Sequence, residues 1–241
     1  VIGREAILTS LGTLVEKGRT ALLYGPVGIG KTVVLRELRR RVERQGYPCG
    51  FAPRTRTLHD LTAALAQAYP GVGVDAPDQR HLRSALGVAV EGRPGVLLLD
   101  HVGRLGTAAR GFLRSLHGTG LGVIVAADVE HERDHTRVRA LRLTHVEIAL
   151  PPFGERAISE LLGEYLATRP LPHRLDPRDR GRLVDVTAGR PGWVAMLAAR
   201  LPDRRYWAHG RVLAEVLRAD VAAAVAEQYA AAEAGDPESI R

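Results

Sequence analysis

The chain has 241 residues and a mass of 26.1 kDa, enough for a full hydrophobic core in one large domain or two. Its single cysteine, Cys49, excludes an intrachain disulfide, and no apolar run approaches the roughly 18 residues of a membrane span. Net charge is +7 and the isoelectric point is near 10.1, with Lys17 and Lys31 the only lysines, so almost all positive charge is arginine. Such charge permits attraction to nucleic acid but defines no groove, and an Ala-, Gly- and Arg-heavy composition also fits a GC-rich genome.

At the start, Val1-Ile2-Gly3-Arg4-Glu5 lacks the basic and apolar segments of a secretory leader, so a cytoplasmic protein without membrane contact is expected. Residues 4–16 carry Ile7, Leu8, Leu11, Leu14 and Val15 at helical spacing, and Gly18 follows as a helix stop. Residues 20–24 read as a short buried strand. Gly25-Pro26-Val27-Gly28-Ile29-Gly30-Lys31-Thr32 then fits G-x-x-x-x-G-K-[ST].

That pattern is a phosphate-binding loop. Glycines let backbone N–H groups close around phosphate oxygens, Lys31 places a charge on the β- and γ-phosphates, and the Thr32 hydroxyl ligates Mg²⁺. A helix must follow, because its first N–H groups complete the anion site. Residues 32–45 satisfy this: Val34, Leu35, Leu38 and Val42 share a face, and Arg36, Arg39, Arg40, Glu43 and Arg44 take the other. A glycine-rich turn that matches by chance is the bland alternative, and the agreement of strand, motif and helix argues against it.

Residues 46–54 give a strand signal in Tyr47, Cys49 and Phe51, bounded by Pro48 and Pro53. A helix is expected over 58–69, a loop over 70–77, and a second helix from an Asp78 cap to about 91. Residues 96–100, Val-Leu-Leu-Leu-Asp, read as a central strand ending in an acid. A helix over 108–116, a strand over 122–128 and a fifth strand over 146–150 complete the pattern.

Strands alternating with helices imply a parallel sheet with helices on both faces and ligands at the strands' carboxyl ends. Pro151-Pro152 breaks the alternation, and helices alone are expected beyond it, over 155–167, 177–187, 191–201 and 211–232. The expected division is a core over 1–150, a small all-α domain over 151–234 and a loose tail over 235–241. The fold class is thus α/β, a P-loop NTPase core with a five-stranded parallel sheet, followed by helices.

Asp100 is the natural partner of the loop, a carboxylate holding the Mg²⁺ water shell opposite Thr32. His101 follows it. Asp128 ends the neighbouring strand, where it either reaches the γ-phosphate or its water, or caps the next turn. His131-Glu132-Arg133-Asp134-His135 spells H-E-x-x-H, but charges fill its middle positions, and a surface loop is the better reading than a zinc site. Arg137, Arg139 and Arg142 precede the fifth strand, as an arginine finger toward a neighbouring subunit's γ-phosphate or, more simply, as a solvated basic face.

Taken together, Val1-Ile2-Gly3-Arg4-Glu5, the loop GPVGIGKT, VLLLD, VIVAAD, Arg142-Leu143 and Ile148-Ala149-Leu150-Pro151-Pro152-Phe153 resemble the AAA+ ATPases of the origin-recognition-like and STAND-related clade. That clade includes bacterial transposition regulators of the TniB, TnsC and MuB kind. The resemblance spans nearly the whole chain, and its P-loop is the specific part. It implies a helical lid after the core, with ATP or ADP and Mg²⁺ at their junction. Site residues implied are Gly3 and Arg4 near the adenine, Gly25, Pro26, Val27, Gly28, Ile29, Gly30, Lys31, Thr32 and Val33 around the phosphates, and Pro191. Asp100 matches the Walker B acid, Asp128 the first sensor position, and Arg142 the arginine finger by its distance from Pro151-Pro152.

Two departures stand out. His101 replaces the usual Glu that polarises the attacking water, so hydrolysis is expected to be slow or to need a base from a partner. Gly192 stands where origin-type members have a second sensor arginine, while Gly189-Arg190-Pro191 resembles the G-x-P signature of STAND lids, whose proline contacts nucleotide; Arg190 is a candidate substitute for the arginine. No winged helix follows, so a built-in DNA reader is not expected. The function implied is a slow Mg-ATPase whose ATP-bound form assembles as a homo-oligomer on a partner protein or DNA. The alternative is a STAND-like nucleotide-binding regulatory module with little or no hydrolysis.

Overall fold

A computed structural model describes residues 3–72, 79–102, 105–129, 134 and 146–234. They form α1 (Glu5–Glu16), β1 (Thr20–Gly25), α2 (Lys31–Arg44), β2 (Cys49–Ala52), α3 (Leu58–Ala68), α4 (Gln79–Gly92), β3 (Val96–Leu99), α5 (Thr107–Ser115), β4 (Gly122–Asp128) and β5 (Val146–Ala149). Beyond these come α6 (Glu155–Leu166), α7 (Pro177–Thr187), α8 (Pro191–Arg200), β6 (Trp207–Ala208), β7 (Arg211–Val212) and α9 (Ala214–Ala234). Contacts divide the chain into two compact units, one of Val1–Pro26 with Lys31–Leu150, the other of Val27–Gly30 with Pro151–Arg241.

The first unit is built on one parallel sheet of five strands in the order β2-β3-β4-β1-β5. Continuous apolar runs make its centre: all of β3 and the first six residues of β4 are buried, as strands covered on both faces must be. Leu22, Leu97, Leu99, Val123, Val125 and Ala127 join Leu61, Leu65, Phe112 and Leu113 of α3 and α5 in one cluster. The alternate residues Ala21, Leu23 and Ile124 are likewise buried, as are Leu8 and Leu11 of α1 and Val34, Leu35 and Leu38 of α2. At the start of α3, Thr57 and Asp60 form a reciprocal capping box, the Thr57 hydroxyl accepting from the Asp60 amide at 3.2 Å and the Asp60 carboxylate accepting from the Thr57 amide at 2.8 Å.

Register decides what shares the carboxyl edge. Gly25 lies beside Asp128, and Leu99 beside Val125, so the loop after β1, the residues after β3 and the last residue of β4 converge. The Asp100 amide continues the ladder by donating to the Ala52 carbonyl at 2.9 Å.

The second unit has its own apolar centre, in which Ile158, Leu162, Leu183, Val194, Leu197, Leu201, Tyr206 and Leu217 are almost fully buried. Here one sequence expectation is corrected. Residues 211–232 are not one helix: Arg211 and Val212 pair antiparallel with Ala208 and Trp207, and α9 starts only at Ala214. His209 (φ 49°) and Gly210 (φ 76°) make the connection, two consecutive positive-φ residues as a two-residue hairpin turn of the I′ kind requires. The expected Asp78 cap lies outside the described residues, though the helix it would start is present as α4. No described helix is long and apolar enough to cross a membrane.

Candidate functional site

Lys31 opens α2 and is only 5% exposed. Its ammonium donates to the Gly25 carbonyl at 2.7 Å and the Pro26 carbonyl at 2.8 Å, and stands 2.6 Å from Asp128 Oδ1. Three acceptors match the three protons of the group. Asp128, 18% exposed, turns its other oxygen to His101 Nδ1 at 3.3 Å, and the His101 amide donates to Asp100 Oδ1 at 2.9 Å. Lysine, two aspartates and histidine therefore form one connected group at the strand ends.

Its electrostatics follow from burial and pairing. Burial alone would raise the Asp128 carboxyl, but the hydrogen bond to His101 and the charge of Lys31 outweigh it and hold the pKa at about 2. His101 is shifted upward, chiefly by that same hydrogen bond and further by Asp100 and Asp128, against the cost of burial. Asp100 moves the other way from Asp128. At 1% exposure its carboxyl is raised by desolvation, although the charge of His101 and a hydrogen bond with the Thr32 side chain pull it down. Asp100 Oδ2 is buried and, among the described residues, has no hydrogen-bond partner, with His101 Nε2 3.9 Å away. His101 itself sits at φ +48°, a left-handed backbone conformation uncommon outside glycine.

The middle of the loop belongs to the second unit. Gly28 (φ 80°) and Gly30 (φ 102°) hold the turn, Ile29 is fully buried, and Val27 packs against the apolar centre described above. The Gly192 amide donates to the Gly28 carbonyl at 2.9 Å. A Cβ at Gly192 would stand 2.9 Å from Gly28 Cα, and one at Gly28 would stand 3.0 Å from Trp193 Cδ1. Close approach of two backbones thus leaves no room for a side chain at 192. Pro191, the first residue of α8, has its ring 3.7 Å from where a Gly30 Cβ would be. The Arg190 guanidinium lies over the Trp193 ring, 5.1 Å from its centre.

Of the other residues singled out from sequence, Arg4 is buried at the start of α1, Gly3 is exposed with φ 71°, and Val33 is 51% exposed. Arg142, with Arg137, Arg139 and both histidines of H-E-x-x-H, lies outside the described residues. Among the described residues no group of three or more His, Cys, Asp or Glu side chains is placed to hold a metal ion alone. The sequence left Asp128 open between a phosphate contact and a turn cap and gave no sign that it pairs with Lys31. Trp193 was missed altogether; the Pro-Gly pair before it was the available signal of a close backbone approach.

Strand order, glycine loop, buried lysine and the acid after β3 define a P-loop NTPase fold. Residues 15–132, just under half of the chain, match the family model described as AAA domain. The Walker-type ATPase of Pyrococcus abyssi superposes with a TM-score of 0.64 at 16% identity, over 98% of this chain and 77% of that one. Cdc6p of Pyrobaculum aerophilum gives 0.58 at 16% identity, over 83% of this chain and 61% of that one, so the chain spans less than two thirds of that protein. ORC2 of Aeropyrum pernix in its ADP form gives 0.55 at 16%, over 90% and 67%. Among proteins of curated function none matches the sequence. Residues 15–132 thus resemble an AAA domain, and the chain shares its P-loop ATPase fold with these structures.

Proposed function

We propose that the protein binds Mg-ATP on Gly25–Thr32 and hydrolyses it slowly, as an AAA+ switch. The observation that carries this is the single cluster of Lys31, Thr32, Asp100 and Asp128 at the carboxyl edge of the sheet, where one buried oxygen of Asp100 has no hydrogen-bond partner among the described residues. Thr32 and Asp100 fit Mg²⁺, since the ion takes hard oxygen ligands and is usually held by one or two protein groups together with phosphates and water. Bound there, Mg²⁺ supplies charge neutralisation at the β- and γ-phosphates. All three Lys31 protons are engaged, so a phosphate must displace at least one acceptor, and the triphosphate takes the place of the Asp128 carboxylate. Asp128 and His101 then stand by the γ-phosphate and its water, with His101 in the place of the usual general base.

The wider reading has residues 1–150 as the core, 151–234 as a lid, 235–241 as a tail, Gly3 and Arg4 near the adenine, Val33 and Pro191 in contact with nucleotide, and Arg142 as a finger offered to a neighbouring copy. ATP would promote homo-oligomers in the cytoplasm, on a protein partner or on DNA, for which the +7 charge is suited. Nucleotide that binds only the folded form at a hundredfold excess over Kd should stabilise it by about 2.7 kcal/mol. A melting shift with Mg-ATP that disappears in Lys31→Ala is the expected result, and a wild-type protein indifferent to nucleotide defeats the proposal.

A second reading is favoured by the imidazole being engaged with Asp128: a STAND-like module that binds nucleotide and hydrolyses little or none. Turnover with and without DNA, in the wild type and in His101→Glu, separates the two. Background rates throughout favour the module, and a gain in His101→Glu favours the enzyme. Light scattering with ADP, a non-hydrolysable ATP analogue, and analogue plus DNA tests assembly.

A further inference from the structure

Trp193 Nε1 is buried and, among the described residues, has no hydrogen-bond partner. An indole N–H is a donor only, and a buried donor without an acceptor is costly enough to be rare in folded proteins. Its place narrows the missing acceptor. Nε1 lies 3.5 Å, and Cδ1 3.0 Å, from where a Cβ on Gly28 would be, within the same unit. Gly28 belongs to the loop read above as the phosphate cradle, with the Trp193 ring against it, and the neighbouring Gly192 can carry no side chain toward that loop.

We infer that the Trp193 indole N–H is a nucleotide ligand, donating to an oxygen of the phosphate tail seated on the loop. The Arg190 guanidinium, 5.1 Å over the ring, holds the indole plane and polarises it. This rests on the nucleotide-binding reading above and deepens it. ADP and ATP both carry a phosphate tail, so the contact serves either.

The test is Trp193→Phe, which keeps an aromatic ring and removes the N–H. Kd for Mg-ADP and Mg-ATP, measured by calorimetry on the full chain, should rise by about tenfold for both, as loss of a hydrogen bond to a charged group implies. The melting temperature without nucleotide should hold or rise slightly, because an unsatisfied donor has gone. In a Trp207→Phe background Trp193 is the only tryptophan, and its fluorescence should change on titration with ADP. Unchanged affinity in Trp193→Phe, or a silent fluorescence signal while ADP binds, overturns the inference and leaves nucleotide binding standing. No binding of either nucleotide to the wild type overturns both.

Discussion

Lys31 Nζ and Asp128 Oδ1 are 2.6 Å apart, so the charge that a phosphate-binding loop offers to its ligand is already neutralised by a carboxylate of the same sheet edge. Both groups are largely buried, and a broken buried pair leaves an uncompensated charge. Asp128→Asn should therefore lower stability without nucleotide by about 3 kcal/mol, the lower end of such losses. Mg-ATP should then restore more than it adds to the wild type, because phosphate supplies the missing anion. Equal melting temperatures for the two proteins, with equal nucleotide shifts, would rule out the pairing.

The His101–Asp128 contact makes stability depend on pH with a defined sign. A histidine whose folded pKa is raised contributes fully below its ordinary value near 6.5, and loses that contribution as pH rises through the raised value. Asp128, depressed to about 2, contributes above the usual carboxylate range and fails only as pH falls toward 2. The wild type should thus melt lower at pH 8.5 than at pH 6. His101→Asn, whose new side chain tolerates the left-handed backbone, should lack that component. Parallel pH profiles for the two proteins would contradict the assignment.

Asp100 has the opposite balance to Asp128, since burial raises its pKa and one oxygen has no hydrogen-bond partner among the described residues. Asp100→Asn removes the buried charge, so the protein without nucleotide should gain about 1 kcal/mol while losing turnover, a stability and function trade-off. The variant should also lose the part of the ATP-induced melting shift that EDTA removes from the wild type. Retention of an EDTA-sensitive shift would exclude Asp100 as a Mg²⁺ ligand.

Two glycines of the second unit should respond in opposite directions. Gly189 has φ 71°, accepts from the Phe153 amide at 2.9 Å, and would place a Cβ 2.6 Å from the Pro152 side chain and 2.7 Å from the Phe153 carbonyl. Gly189→Ala should cost more than about 2 kcal/mol, strain and overlap combined. Gly181 lies inside α7 with nothing within 4 Å of an added Cβ, so Gly181→Ala should stabilise by about 0.5–1 kcal/mol. Chemical denaturation of both variants gives the comparison directly.

The sequence by itself determined what local chemistry can determine. Apolar runs ending at Leu99 and Asp128, the glycine loop and the amphipathic stripe of Val34, Leu35, Leu38 and Val42 encode strands, turn and helix within a few residues of each other, and their alternation dictates a parallel sheet. The hairpin at His209-Gly210 escaped because two residues per strand carry too little periodicity to outweigh the helical pattern beside them. Tertiary structure alone decided which groups meet. Lys31 and Asp128 are 97 positions apart, and only the pairing of β1 with β4, with Gly25 opposite Asp128, sets the ammonium against the carboxylate. Likewise the backbone contact of Gly28 with Gly192 and the burial of the Trp193 N–H beside it arise from packing of distant segments, for which the chain holds residue types but no local distance signal.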